Sequence, residues 1–330
     1  MSRALLAFAL ALCGLDVGVA AERPEWAFFV PADAPPPKGS ALSDPFPAQW
    51  SAPGSTRSYS GAQLQDPLNP PDWYPSEHPQ MPPVVAHGSK AEKEGPPVLP
   101  CALCHLPNGA GHVESASLAG LPSNYILHQL DDIRSGTRQI TVGGPHAISL
   151  ITTLKKGFAQ EQLPAAARYF SSLKPRTWIR VVEAYAVPKS FVSPDSLMRL
   201  PVPNGGTEPL GRRIVELPES ALGLIARDSH SGYVAYVPEG SIAAGEVLVN
   251  KGGPGRTLAC ASCHGAKLTG LGDVPALAGR PPSYIARQLW AFQSGARAGS
   301  LSAGMKPVVA NLTAEEMLDI AAYLASVPPR

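Results

Sequence analysis

Two stretches of the chain place apolar residues at helical spacing. In each stretch three apolar residues recur at positions i, i+4 and i+7: Ile126, Leu130 and Ile133, then Ile285, Leu289 and Phe292. This spacing predicts an amphipathic helix that buries one face. A proline stands near the start of each run and a glycine at its end, so both helices are expected to begin and end at matching positions.

The two stretches are also alike in sequence. Residues 118–126 read LAGLPSNYI and residues 277–285 read LAGRPPSYI, and the match continues to the Ser-Gly pairs at 135–136 and 294–295. Roughly half of the aligned positions are identical, and such self-similarity predicts one structural unit that is used twice.

A second helix is expected to close each unit. In the second copy Thr313 and Glu316 predict a capping box ahead of an apolar face. The corresponding helix of the first copy is expected over about residues 162–173 and should be less regular. There, Ala159 replaces the capping threonine, and Pro164 would interrupt the first turn.

The segments outside the repeat have a different pattern. Residues 178–182, 213–217 and 233–237 are β-branched or aromatic runs bounded by proline and glycine, which predicts short strands. In the same region Asp228 and His230 are expected at the surface and Met198 in packing. Residues 22–84 are rich in proline, which predicts irregular structure, but their aromatic residues indicate that the segment wraps the repeats. Docking onto a partner enzyme is the alternative.

Composition and charge limit the class of protein. The 330 residues carry a formal net charge of +1 with scattered lysine and arginine, so nucleic acid is not an expected partner. Residues 1–21 have a basic start and a short apolar run, which predicts an export signal cleaved after Ala21 and a periplasmic protein. Cys13 would leave with the signal, although a lipid anchor there is an alternative. No transmembrane segment is expected in the mature chain.

The four remaining cysteines carry the chemistry. They form two pairs with a two-residue spacer, each followed at once by histidine: Cys101-Ala-Leu-Cys104-His105 and Cys260-Ala-Ser-Cys263-His264. On one helical turn, cysteines at i and i+3 face the same side and can both reach the vinyl groups of one porphyrin. The next histidine can then bind the iron, so the pattern predicts two covalently bound haem c groups. A thioredoxin-like redox pair and half of a zinc site are the alternatives.

The combination of these motifs resembles the class I cytochrome c family, in particular its two-domain, dihaem periplasmic members of the cytochrome c4 type. The likeness rests on the two attachment motifs, the LAGxPxxYI segments, the tyrosine-bearing terminal helices and Met305. It implies a mainly α fold, with two cytochrome c-like helical haem domains over residues 85–175 and 238–330. A partly β segment over 176–237 would join them, and the irregular proline-rich extension over 22–84 would precede them.

The resemblance also separates the two haems. The family has a methionine as the second axial ligand before the terminal helix, and Met305 stands there in the second copy. Aligning Tyr169 with Tyr323 puts Ile151 at that position in the first copy, and isoleucine cannot bind iron. The first copy has about five extra residues in this loop. They include His146, which is the hypothesis for its distal ligand. An open coordination site or Met81 folding back are the alternatives.

These features predict an electron carrier. The expected partners are a dehydrogenase or quinol-oxidising complex as donor and an oxidase or small carrier as acceptor. A dihaem redox enzyme, peroxidase-like or sulfur-oxidising, is a second hypothesis that rests on the missing methionine. A cytochrome subunit of a dehydrogenase complex is a third.

Overall fold

The computed structural model describes residues 22–29, 48–90, 97–141, 160–193 and 198–330. The α-helices in these ranges are α1 (Gly61–Leu64), α2 (Pro83–Ala86), α3 (Cys101–His105), α4 (Ser123–Ser135), α5 (Leu163–Ser172), α6 (Ala221–Ile225), α7 (Ser241–Lys251), α8 (Ala261–His264), α9 (Pro282–Ser294), α10 (Lys306–Val309) and α11 (Ala314–Ser326). Short 3₁₀ helices cover Glu25–Ala27, Pro75–Glu77, Gln160–Gln162 and Ser300–Met305. The strands are β1 (Ile179–Glu183), β2 (Ala186–Pro188), β3 (Ser190–Val192), β4 (Arg199–Pro201), β5 (Thr207–Pro209), β6 (Val215–Pro218) and β7 (Tyr233–Val237).

The repeat is visible in the helices. Helices α4 and α9 each have 13 residues and begin directly after a proline. Each ends at a glycine in the left-handed conformation, Gly136 with φ 83° and Gly295 with φ 81°, which a residue with a Cβ adopts only at a cost. The predicted limits of both helices are therefore confirmed.

The terminal helix of the first copy is less regular than that of the second, as expected: α5 has 10 residues and no side-chain N-cap, whereas α11 has 13 residues. Before α11, Thr313 Oγ1 accepts from the Glu316 amide at 3.1 Å while Glu316 Oε2 accepts from the Thr313 amide at 2.8 Å, so the capping box is present. The expectation that Pro164 interrupts the first turn of this helix is wrong. Helix α5 begins at Leu163, which leaves Pro164 in the first turn, where a missing N–H costs no helical hydrogen bond.

A glycine sets the packing of the second copy. Helices α7 and α11 cross closely at Gly245, where a Cβ would collide with the Asp319 carbonyl oxygen. The buried face of α11 completes this core, with Met317, Ile320 and Leu324 at most 1% exposed. In the part of the first copy that the structure describes, the four-residue α2 precedes the motif where the second copy has α7, and Val85 is buried in its core.

The segment between the repeats is partly β, as expected. Strands β1, β7 and β6 form a sheet in that order, with β1 parallel and β6 antiparallel to β7. All three predicted runs lie in this sheet. Two further antiparallel pairs, β2 with β5 and β3 with β4, were not predicted. Their three-residue strands are too short to give a period in the sequence.

The sheet region also holds one wrong prediction. His230 is exposed and Met198 is packed, as expected. Asp228, expected at the surface, is buried: its carboxylate accepts from Tyr74 Oη at 3.1 Å and from the His230 amide at 2.9 Å. Asp228 is buried because the proline-rich extension covers it.

The described parts of the extension pack on the rest of the chain. Phe28 is buried against Trp290 of α9 with ring centroids 5.4 Å apart. Trp73 is 1% exposed and donates from Nε1 to the Ala226 carbonyl at 2.9 Å. The prediction that this segment wraps the repeats is confirmed for Phe28, whereas Trp73 packs on the bridging segment instead. The expected signal sequence lies outside the described residues. None of the described helices is long and apolar enough to cross a membrane.

Candidate functional site

The two cysteine-histidine motifs occupy equivalent short helices. Helix α3 spans the whole first motif, and α8 spans the second with Cys260 as its N-cap residue. One helical turn places the two cysteines of a motif and its histidine on one side of the chain. Each motif thus presents two sulfur atoms and one imidazole to a common space.

Each motif histidine is held by a backbone carbonyl. His105 Nδ1 lies 2.8 Å from the Ala116 carbonyl oxygen, and His264 Nδ1 lies 2.7 Å from that of Pro275. In both copies the carbonyl lies eleven residues after the histidine. A carbonyl can only accept, so Nδ1 must donate, which leaves Nε2 unprotonated and able to bind a metal.

The titration behaviour of these groups agrees with that geometry. Burial lowers the pKa of His105 to about 4 and also lowers the pKa of His264, so both imidazoles are neutral near pH 7. Burial raises the pKa of Cys101 to about 12 and of Cys104 and Cys260 to about 11. A thioredoxin-like site needs a cysteine with a lowered pKa, so that alternative is disfavoured.

The zinc alternative needs ligands beyond the two motifs. Among the described residues no group of three or more histidine, cysteine, aspartate and glutamate side chains could hold a metal ion. A structural zinc site normally has four such ligands. The motifs therefore lack the additional protein ligands that zinc would require within the described ranges.

A cavity of about 440 Å³ adjoins the second motif. Cys260, Cys263 and His264 line it, and Met305 lines it as well. Apolar side chains of α9, α10, α11 and the loop before α9 form most of its wall: Leu277, Ile285, Leu289, Phe292, Val308, Ile320 and Leu324. Its volume suits a large organic group. The donor set of two thiols, one imidazole and one thioether, within an apolar wall, fits haem c.

Two arginines give this cavity a positively charged wall. Arg280 and Arg297 both line it, and both are largely buried. Leu121 and Tyr125 of the first repeat line it too. The second cavity is therefore closed in part by the first repeat, which the sequence did not indicate.

The repeats meet through a reciprocal set of hydrogen bonds, here called the arginine seam and formed by Tyr125, Gln129, Arg138, Tyr284, Gln288 and Arg297. Arg138 donates to Gln129 at 2.8 Å in its own copy and to Tyr284 at 3.1 Å in the other. Arg297 makes the reciprocal bonds: it donates to Gln288 in its own copy and to Tyr125 Oη of the first copy at 2.8 Å. The seam was not predicted from the sequence, although all three residue types recur at the same place in both copies.

The distal position of the first motif lies outside the described residues. His146 and Ile151 both fall in the range 142–159. Met81 is half-buried and packs on the first-repeat core with Val84 and Val85. Met305, by contrast, is placed at the wall of the second cavity, in the 3₁₀ helix that precedes α10.

Known proteins share these features. The sequence pattern of the family described as cytochrome c matches residues 242–328. A thiosulfate dehydrogenase electron acceptor of Thiomonas intermedia is 26% identical over 238 residues, which are 71% of this chain and 81% of that protein. A cytochrome c4 of Azotobacter vinelandii is 25% identical over 72% of this chain and 89% of its own length. A cytochrome c-554(547) of Halothiobacillus neapolitanus is 36% identical over 96 residues, which cover 27% of this chain and 98% of that protein.

The chain aligns with almost the whole cytochrome c-554(547) at 36% identity, and with 89% of the cytochrome c4. The matched pattern also includes the second attachment motif, the tyrosine helix and the terminal helix. Covalently bound haem c is the cofactor of that family. The chain therefore belongs to the class I cytochrome c family, among its dihaem, cytochrome c4-like members.

Proposed function

We propose that the chain is an exported, periplasmic cytochrome that holds two haem c groups and transfers electrons between redox proteins. Residues 85–175 and 238–330 are the two proposed haem domains, and residues 176–237 join them. The donor in this proposal is a dehydrogenase or quinol-oxidising complex, and the acceptor is an oxidase or a small carrier.

The equivalence of the two histidine anchors is the observation that carries the proposal. His105 and His264 each donate from Nδ1 to a carbonyl eleven residues later, so both copies prepare Nε2 of a neutral imidazole. A chain that used only its second haem would have no reason to retain this arrangement in the first copy.

When bound, haem supplies a one-electron iron couple. In the second domain Cys260 and Cys263 are the proposed thioether residues, His264 the proximal ligand and Met305 the distal ligand. A methionine in that position raises the reduction potential, and the apolar wall of the cavity excludes water. Arg280 and Arg297 line the cavity and would supply positive charge to pair with the carboxylates of a bound haem.

In the first domain Cys101, Cys104 and His105 have the corresponding roles, and His146 is the proposed distal ligand. A haem with two histidine ligands is low-spin and lower in potential than one with methionine. We expect His146→Ala to convert the first haem to a high-spin form in the visible and paramagnetic resonance spectra. Unchanged spectra would reject this ligand, and Met81→Ala is the matched variant that would then lose the low-spin signal.

The name of one relative favours a particular donor. The Thiomonas intermedia protein is described as an electron acceptor of thiosulfate dehydrogenase, and the chain covers 81% of it. We therefore propose a dehydrogenase of reduced sulfur compounds as the donor class. Reduction of the purified protein by such an enzyme and its substrate, measured in the haem absorption bands, tests this point. Rapid turnover of hydrogen peroxide by the purified protein would instead favour an enzyme.

Haem content tests the central proposal. Mass spectrometry of the exported protein should show two covalent haem groups, and the double variants C101S/C104S and C260S/C263S should each retain one. A wild-type chain that carries one haem, or none, would reject the dihaem function. A chain that instead retains stoichiometric zinc would also reject it.

A further inference from the structure

Arg287 stands at a point where the repeat is broken. It lies on helix α9 of the second copy, and the equivalent residue on α4 of the first copy is His128, which is exposed. Arg287 is only 1% exposed. A buried guanidinium needs partners for its N–H groups, so its contacts indicate why the second copy has an arginine here.

Arg287 binds segments that are distant in the sequence. Its Nη2 donates to the carbonyls of Val113 at 3.0 Å and Glu114 at 3.1 Å, and its Nη1 donates to Ala27 at 2.7 Å. Thus one side chain of the second repeat joins the first repeat and the extension. Ser283, one turn earlier on α9, adds a hydrogen bond from Oγ to the Val113 carbonyl at 3.4 Å.

The segment that Arg287 holds is the loop that orients the first motif histidine. Residues 109–119, here called the first loop, include Ala116, whose carbonyl accepts from His105 Nδ1. Only Ser115 lies between Glu114 and Ala116. Within the same loop Ser115 Oγ donates to the Cys104 carbonyl at 2.8 Å, so the loop contacts the motif at two points.

The charge of Arg287 is retained in this position. Burial lowers its pKa to about 10, while the nearby carboxylates of Glu216 and Glu114 oppose that shift. Near pH 7 the guanidinium is therefore positive, and it binds the loop of the first motif. Arg287 does not itself line the second cavity, but its Cζ lies 5.9 Å from the ring centroid of Tyr284, which does.

We propose that Arg287, although it belongs to the second repeat, is a positioning residue for the proximal ligand of the first haem. It fixes the carbonyls of Val113 and Glu114, which fixes the Ala116 carbonyl and the ring plane of His105. The second domain thereby sets the ligand orientation and the potential of the haem in the first domain. This inference rests on the proposed role of His105 as an iron ligand.

Three variants test the proposal: Arg287→Gln, Arg287→Lys and, as the matched control, His128→Gln. The readouts are the paramagnetic NMR signals of the axial imidazoles and a spectroelectrochemical titration of each haem. A Met305→Ala sample, which alters the second haem, assigns the signals. Mass spectrometry first establishes two haems per chain, because their absence would reject the proposed function and not this inference.

In Arg287→Gln we expect shifted imidazole signals for the first haem and unchanged signals for the second. Loss of the positive charge disfavours reduction, because the oxidised iron carries the higher charge. The equilibrium constant for reducing the first haem should therefore fall about tenfold, which lowers its reduction potential by about 59 mV for one electron. Arg287→Lys keeps the charge without the planar fork, so the potential should recover while part of the signal shift remains. His128→Gln should alter neither haem.

Two results would overturn the inference. One is an unchanged first-haem imidazole signal in Arg287→Gln, and the other is an equal change in both haems. If the glutamine variant does not fold, the lysine variant decides the question, since it should retain the fold. A lysine variant whose first-haem signals match those of the wild type would then reject a role for the guanidinium fork.

Discussion

The two loops that orient the motif histidines perform one task in two environments. In the first loop, residues 109–113 are all buried, whereas in residues 268–278, here called the second loop, Leu271 is 67% exposed. Arg280 and Arg287 of the other repeat bind carbonyls of the first loop. The second loop instead closes on itself through a backbone bridge between Leu271 and Val274.

This difference shows which part of the molecule is covered by the segments outside the repeats. The bridging sheet and the extension bury the first loop: Val113 packs with Ile179, Tyr233 and Phe29 in one apolar cluster. The loop beside His105 is thus held by residues from several parts of the chain. The contacts of the loop beside His264 are more local, although Asn124 Nδ2 of the first repeat donates to Asp273 Oδ2 at 3.5 Å. Variants of distant residues should therefore affect the first loop more than the second.

Burying a charge in the first loop should have the largest effect. Val113 is fully buried, so we expect Val113→Asp to lower the free energy of unfolding by about 3 kcal/mol or more. Leu271→Asp, in the exposed second loop, should stay within about 0.5 kcal/mol. Denaturant unfolding followed by far-UV circular dichroism measures both. Equal destabilisation by the two variants would contradict the difference between the loops.

A buried carboxyl beside the first loop should make stability depend on pH. Burial raises the pKa of Glu216 from 4.5 to about 7, against hydrogen bonds from Ser283 and attraction by Arg287, while Glu114 raises it further. Between these pH values the folded chain keeps a proton that the unfolded chain has released. Stability contributed by this group is therefore complete below about pH 4.5 and falls as the pH rises through 7.

Glu216→Gln should remove that pH dependence. Relative to the wild type, the variant should gain about 2 to 3 kcal/mol of stability between about pH 5 and pH 8, because glutamine releases no proton. Unfolding at several pH values measures the gain. Glu219→Gln, at an exposed position of the same region, is the control and should follow the wild-type curve. A constant offset between Glu216→Gln and the wild type at all pH values would show that Glu216 does not titrate in this window.

A smaller effect should come from the serine inside the first loop. Ser115 Oγ accepts from the His112 amide at 2.9 Å and donates to the Cys104 carbonyl at 2.8 Å. Ser115→Ala should cost about 1 to 2 kcal/mol, because it leaves two partly buried backbone groups without this partner. The first-haem imidazole signals should shift with it. The second loop has Val274 at the equivalent position, and Val274→Ala should leave those signals unchanged.

The sequence predicted what is local and missed what is distant. The motif helices, the limits of α4 and α9 and the capping box at Thr313 follow from residues within one or two turns. The contact between Arg287 and Val113 joins residues 174 positions apart, and no periodicity reports such a pair. One feature of the sequence could have predicted this contact: the repeat has His128 in its first copy and Arg287 in its second. A charged residue that appears in one copy alone indicates that this copy has a different neighbour there.

The same limit explains the misjudged terminal helix and the missed carbonyls. Pro164 is tolerated because α5 begins at Leu163, one residue before it, so the proline lies in the first turn. The start of a helix is the least certain feature of a sequence pattern. The Ala116 and Pro275 carbonyls are backbone atoms, so their role as acceptors leaves no mark on residue type. Only the equal spacing from His105 and His264 reveals it, once both loops are seen.

The smallest expected effect concerns the stiffness that the second loop gains from its own sequence. Pro275 supplies the carbonyl that binds His264, and its ring fixes φ there, whereas the first loop has Ala116 and relies on Arg287. Pro275→Ala should cost about 0.4 to 1 kcal/mol, because the unfolded chain becomes freer. It should also broaden the imidazole signals of the second haem and leave those of the first unchanged.

Ala116→Gly is the matched change in the first loop. It also frees the backbone, but the loop remains held by the Arg287 bonds to Val113 and Glu114, so the first-haem signals should keep their width. Thermal unfolding and NMR line widths measure both variants. If Ala116→Gly broadens the first-haem signals as much as Pro275→Ala broadens the second, then Arg287 does not replace the proline. The two loops would then depend equally on local stiffness.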